Sequence, residues 1–451
     1  MHKDVRTTIT PGRLMALLAV TALLLTGAPG CGKKSAPGDG AEAGPVTVDF
    51  WYSYGGRNRE VTEELIKRFN DSHPDITING TFQGDYFENL SKVRMASRTK
   101  RGPVATHIIG EAIPQLHEAG LLEDLDPYAD GQVEGVEKLD RADFIPGLSQ
   151  EGYFDTLGKK VPLVSLPFNR STPIVYYNVK MFKDAGLEPP KTWEELVAVS
   201  KQLTVREGDE TKVWGFEVAI DWWFWYAMLH QAGGSLLNQT GDKARFAEEP
   251  GIKALDHLVR MVKEHKSMKH PPGRDYNAWE VANTDFLNQK VAMIWTSTAY
   301  LKYFKLNAKF EVGTAFLPKQ VKRAVPTGGT FFVIMKNKPE AEKRAAWTFI
   351  RWMSEPDQTA YWSRETGYMP VRRSALESEE MKAFYKENPE YRTTIDQLEH
   401  SVPFPFSPKL VEIQRKILKP VLERPVVEDA DVAEVLKKAA EEANKLLASD
   451  R

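Results

Sequence analysis

Three consecutive stretches restrict the fold of this chain more than any other feature. "VTVDFWYS" (46–53) is rich in β-branched and aromatic residues and reads as a strand. "NREVTEELIKRFND" sets Val61, Leu65 and Phe69 one helical turn apart, as on the buried face of a helix. "PDITINGTFQ" reads as a second strand. A β-α-β opening implies a parallel sheet with helices on its faces. "PVATHII", followed by "AIPQLHEAG" ending at Gly120, repeats the theme.

Later segments extend the α/β pattern. "KVPLVSLPFNRSTPIVYYN" (160–178) is a long extended run broken by prolines. It exceeds a mean strand, so a crossing between two parts of the molecule is expected. "PPKTWEELVAVSKQLT" reads as a helix capped by Thr192, with Glu195 completing a capping box. "VAMIWTS" and "GTFFVIM" read as buried strands. The last helix, "DVAEVLKKAAEEANKLLA", has Asp431 and Glu434 in the same capping relation. Val432, Val435, Leu436, Ala439, Ala443, Leu446 and Leu447 form its apolar face. No internal repeat is evident.

The N-terminal region raises a different question. "GAPGCGKKS" (27–35) nearly spells a phosphate-binding loop, but Lys34 stands where the magnesium-binding hydroxyl belongs. It also lacks a preceding buried strand and a following helix. Lys3, Arg6 and Arg13, then the apolar run Leu14–Ala28, read instead as an export leader. Cys31 is the only cysteine and follows directly, as in lipoprotein signals, where that residue is lipidated. Ala28 and Pro29 depart from the usual leucine-led motif; an ordinary cleaved leader with an incidental cysteine is the alternative. Either reading exports the protein. Gly32–Pro45 is glycine-rich and polar, a tether reaching roughly 20 Å.

About 420 residues then remain, too many for one core and suited to two lobes. The formal charge of −2 includes +2 from the leader, leaving −4 on the mature chain. That balance does not suit phosphate neutralisation along nucleic acid. With no cysteine beyond Cys31, thiolate metal sites and thiol catalysis are excluded from the body. His257, His265 and His270 lack metal-ligand spacing, and neither Gly-x-Ser-x-Gly nor His-Glu-x-x-His occurs. No cofactor and no enzyme activity are expected.

"FNDSHPDITI", "GDYFENL", "LPFNRSTPIVYYN", "GLEPPKTWEEL", "VAMIWTS", "GGTFFVI" and "TGYMPVRRSA" together resemble the extracellular solute-binding proteins of ABC importers. The likeness is to the sugar-binding group, in particular its glycerol-3-phosphate- and glycerophosphodiester-binding members, and covers about 46–451. It implies an α/β, two-lobed periplasmic-binding-protein fold (type II) with a hinge and an interlobe ligand cleft. Lobe one is expected from 46–173 and 331–374, lobe two from 174–330 and 375–451. The implied role is capture of a sugar or glycerophosphate-type ligand and delivery to a membrane permease, by a monomer held through a lipid anchor. A secreted carbohydrate-active enzyme and a non-transport lipoprotein are the alternatives.

The candidate ligand residues combine flat rings with polar groups, as a hydroxyl-rich ligand requires. In "DWWFWYAMLH", Trp222 and Trp225 lie three apart and are expected to share a cleft-facing side. Glu111 lies just past a strand end, where α/β sheets place ligand groups. Arg170 has the geometry to pair with a phosphate. Gly328-Gly329 allow close backbone approach. The resemblance adds Tyr86, Ser171, Thr298 (or Ser297) and Tyr368 as contacts. One departure bears on the ligand: the glycerol-3-phosphate binders carry an arginine soon after a Pro-x-Pro-Phe stretch. Here "PFPF" is followed by "SPKLVEIQRKIL", with only Lys409 and Arg415 nearby.

Overall fold

The computed structural model describes residues 45–98, 101–150, 162–273 and 276–449, with the backbone of the short strands Asp155–Thr156 and Lys159–Lys160. The leader, Cys31 and the tether lie outside the described residues.

From residue 45 onward the chain forms one compact unit built on two sheets. It opens with β1 (Val46–Tyr52), α1 (Gly56–Ser72), β2 (Ile76–Phe82), α2 (Tyr86–Ala96) and β3 (Ala105–Ile109). Next come β4 (Leu166–Ser171) and β5 (Pro173–Asn178), then α3 (Trp193–Leu203) and β6 (Glu210–Glu217). Helices α4 (Trp222–Gln231), α5 (Glu249–Lys263) and α6 (Tyr276–Leu287) precede β7 (Val291–Ser297), β8 (Val312–Ala315) and β9 (Gly328–Ile334). Helices α7 (Glu340–Met353), α8 (Pro356–Thr366) and α9 (Val432–Ala448) follow, among shorter ones.

The first sheet runs β2-β1-β3-β9-β4. β1 pairs parallel with β2 and β3, as the opening predicts. β9 returns from far along the chain and pairs antiparallel with β3 and β4, so the sheet is mixed rather than parallel. The second sheet joins β6, β7, β5 and β8, with Met268–Lys269 at one edge and Val205–Glu207 pairing β6. Residues 166–178 of the extended run are therefore two strands in two sheets, with only Thr172 between them. Thr172 is held from three sides. Its carbonyl accepts from Thr298 N–H at 3.0 Å, its N–H donates to Thr298 Oγ1 at 3.4 Å, and its hydroxyl accepts from Gln397 Nε2 at 3.2 Å.

Val61, Leu65 and Phe69 of α1 are fully buried against the first sheet. There Phe349 of α7 meets Phe50 and Phe69 edge-on, both at 5.1 Å. A separate core joins α3, α4, α5 and α9 to the second sheet. The two expected capping boxes form only by half. Thr192 Oγ1 accepts from Glu195 N–H, but the Glu195 carboxylate accepts from Lys191 N–H at 2.6 Å. Asp431 accepts from Glu434 N–H, while Glu434 pairs with Lys438 one turn on. The complete box is at Asp85 and Glu88, where it fixes the first turn of α2 and hence Tyr86.

Candidate ligand cleft

One cavity is lined by residues from both sheets, at the carboxyl ends of β3, β4 and β7 and the start of β9. Its other walls include the first turns of α2, α4 and α6, the loop after β1, and Tyr368 just beyond α8. It encloses about 670 Å³ of empty space, part of it open to solvent. α/β sheets place ligand sites at such strand ends because side chains and turn backbone converge there.

Rings make up most of the wall. Tyr54 and Tyr86 stack at 5.1 Å, and Tyr276 meets Tyr54 edge-on at 5.7 Å. Tyr276 also touches Trp279 edge-on at 5.5 Å, and Trp279 stacks on Trp223 at 5.3 Å. The band continues from the loop after β1 to the start of α4. Asp221 fixes its far end. It caps α4 by accepting from Trp223 N–H and Phe224 N–H, and it accepts from Trp279 Nε1 at 2.5 Å. Tyr54 has a positive φ of 78°, a strained conformation for a tyrosine, and its hydroxyl meets that of Tyr300, beyond β7, at 2.8 Å.

The polar wall is Glu111, Asp221, Ser171, Ser297 and the tyrosine hydroxyls. Burial disfavours the phenolate and holds Tyr54, Tyr86, Tyr276 and Tyr368 well above the ordinary tyrosine range. Tyr300, just behind, is pushed up to about 12 for the same reason. The cleft thus presents neutral hydroxyls. Among the described residues its wall contains two carboxylates and no Lys, Arg or His.

Tyr86, Glu111, Ser171, Trp222, Gly329 and Tyr368 line the cavity. Three other sequence candidates do not. Trp225 is buried in the core beside Phe246 and donates to Gly251 O at 3.2 Å. Eight of the ten residues of α4 are buried, so only its N-terminal end borders the cleft. Position along the axis, rather than a shared face, selects Trp222 and Trp223. Thr298 is buried and pinned to the Thr172 crossing, while Ser297 before it reaches the wall.

Arg170 is the third that lies outside the wall. It is fully buried, stacks on Phe331 at 4.3 Å, and donates to Leu148 O and Thr327 Oγ1. It braces the sheet rather than facing a phosphate. Arg170→Gln is therefore expected to lower unfolding stability by about 2–3 kcal/mol in urea titration. A variant as stable as the parent would refute the bracing role.

Tyr54, Phe87, Asp221, Trp223, Tyr276 and Trp279 were not selected by sequence reasoning. The positive-φ demand at "YSYGG" is a local signal that could have exposed Tyr54. Tyr276 and Trp279 sit on a helix brought in by the second sheet, and nothing local marks them. Arg415, after the "PFPF" stretch, lies over the Phe87 ring at 3.9 Å but is not itself part of the wall.

Residues 64–393 match the family model described as bacterial extracellular solute-binding protein. The sn-glycerol-3-phosphate-binding periplasmic protein UgpB of Escherichia coli (strain K12) is 28% identical over 378 residues, which are 80% of this chain and 82% of that protein. The crystal structure of UgpB from Mycobacterium tuberculosis in complex with glycerophosphocholine superposes with a TM-score of 0.77 at 26% identity. That match covers 90% of this chain and 98% of the other. The GacH receptor of Streptomyces glaucescens, solved unliganded and with acarbose, shares the fold with a TM-score of 0.78 at 18% identity over 90% and 100% of the two chains. The fold is that of the two-lobed periplasmic binding proteins, and the matched family and relatives are solute-binding proteins rather than enzymes. With the family model spanning most of its length, the chain belongs to the bacterial extracellular solute-binding proteins.

Proposed function

We propose that this protein captures a zwitterionic glycerophosphodiester of the glycerophosphocholine kind and hands it to an ABC permease. The observation that carries the reading is the wall itself: a ring band ending in Asp221, with Glu111 nearby and no described basic residue. Aromatic faces and carboxylates favour a cationic head group. A dianionic phosphate monoester would meet no basic side chain among the described residues of that wall. Arg415, the arginine that follows "PFPF", stacks on Phe87 and is not itself in the wall, which points the same way. A diester carries one negative charge fewer, and the Ser171 and Ser297 hydroxyls suit its oxygens. Glycerophosphocholine is also the ligand of the M. tuberculosis relative. A neutral oligosaccharide is the second reading, favoured by the parallel Trp223 and Trp279 rings, on which a sugar face would pack.

In this reading the lobes are the expected 46–173 with 331–374 and 174–330 with 375–451, except that 328–330 go with the first lobe. All of β9, from Gly328, moves with the first sheet to which it is paired. Closure is a hinge motion through the Thr172 crossing and the 315–328 connection. The exported monomer is held at the membrane by lipid on Cys31, with 32–45 as its tether.

Isothermal titration decides between ligands. Glycerophosphocholine is expected to bind, glycerol-3-phosphate at least tenfold more weakly, and Trp279→Ala to weaken glycerophosphocholine roughly tenfold or more. Preference for maltose would favour the second reading, and preference for glycerol-3-phosphate would refute the charge argument.

A further inference from the structure

Behind the cavity wall runs a chain of buried polar groups that ends at Tyr86 and Tyr368 in the wall itself. Ser53 N–H donates to His107 Nε2 at 3.0 Å, so the ring proton sits on Nδ1. Nδ1 meets Thr330 Oγ1 at 2.8 Å. Thr330 Oγ1 in turn meets Asn169 Oδ1, and Thr330 N–H donates to the same Oδ1 at 2.8 Å. A backbone N–H only donates, so that amide atom is the oxygen. The Asn169 amide nitrogen then donates to Tyr86 Oη at 2.7 Å, and Tyr86 Oη meets Tyr368 Oη at 2.8 Å. His107, Asn169 and Thr330 are all buried, at 2%, 1% and 0% exposure.

The polarity follows by counting hydrogens. Two backbone donors fix the direction of every link up to Tyr86. The tyrosine pair then holds two hydroxyl hydrogens, and one lies between the two oxygens. Tyr86 accepts from Asn169 whichever tyrosine donates to the other, so the second hydroxyl hydrogen of the pair is left for the cavity.

We propose that His107, Thr330 and Asn169 are positioning residues which lock the Tyr86–Tyr368 pair as a hydrogen-bond donor toward the ligand. The site then selects a molecule with an acceptor oxygen at that point, such as a phosphodiester or hydroxyl oxygen. This deepens the binding-protein reading and rests on it.

Asn169→Asp tests the lock. Its carboxylate only accepts, so Tyr86 must donate back to it and Tyr368 to Tyr86, leaving lone pairs toward the ligand. Affinity for glycerophosphocholine, or for maltose if that is the sugar bound, is expected to fall at least tenfold. Tyr368→Phe is expected to lose as much, and the double variant no more than either single one. Additive losses, or parental affinity in Asn169→Asp, would overturn the proposal. Nitrogen-15 NMR of the ligand-free protein is the second arm. It is expected to show His107 neutral with its proton on Nδ1 at pH 7. A proton on Nε2 would overturn the relay whether or not any probe binds, whereas failure of both probes with the expected tautomer counts against the function alone.

Discussion

Gly329→Ala is expected to cost about 3 kcal/mol or more of unfolding stability and to abolish ligand binding. Gly329 sits at φ +91°, where an L side chain is strained, and its added Cβ would lie 1.8 Å from the Asn169 carbonyl oxygen. That oxygen belongs to the β4 backbone and cannot swing away as a side chain would. Relief requires β4 and β9 to separate, and their pairing at Gly328–Ser171 and Gly329–Arg170 forms the floor of the cleft. The same shift would pull Asn169 from Tyr86. Gly233→Ala is the control: its φ is +89°, but nothing lies within 4 Å of its added Cβ. It should cost only the backbone strain, roughly 1–2 kcal/mol, and leave affinity intact. Urea unfolding and isothermal titration of both variants check this, and equal losses would show that strain rather than the carbonyl clash governs the site.

The elements of this fold were legible wherever a local pattern decided them. Val61, Leu65 and Phe69 mark α1, and the β-α-β order sets the parallel pairing of β1 and β2. The antiparallel insertion of β9 was not legible, because its partner β3 lies more than two hundred residues earlier. The capping residues were legible as N-caps but not as boxes, since neighbouring N–H groups and i,i+4 lysines compete for the glutamates. Within the cleft, strand-end reasoning found Glu111, and family likeness found Tyr86, Ser171 and Tyr368. Helical spacing chose Trp225 over Trp223, because periodicity gives a face and not which end of a buried helix meets solvent. Arg170 shows the limit of chemistry read without place. A guanidinium suited to phosphate is equally suited to two oxygen acceptors and a phenyl ring inside a sheet.

Acid is expected to destabilise the ligand-free protein well above the pH at which its carboxylates protonate. Burial pulls His107 from the usual 6.5 down to about 3, and His230 and His257 down to about 4. His107 has a further reason to stay neutral, because a proton on Nε2 would face the Ser53 N–H. Between pH 6.5 and these values the unfolded chain binds more protons than the native one, so stability falls as pH falls. Each group loses about 2–3 kcal/mol by pH 4.5. Glu217 opposes this. Burial raises its carboxyl to about 7 despite Lys269 at 3.1 Å, so the native state takes up that proton first and gains stability as pH drops from 7 to 4.5. Glu217 set against these three histidines leaves a net loss on the order of 5 kcal/mol from the four groups together, a large share of what holds a typical domain folded. Calorimetry at pH 7.5 and 4.5 should show Tm lower at the acid end by roughly 5–10 °C. His230→Phe with His257→Phe should recover most of that difference, since both rings pack on aromatic neighbours, Tyr226 and Trp193. A Tm that rises or holds steady toward pH 4.5 would mean that Glu217, not the histidines, sets the acid response.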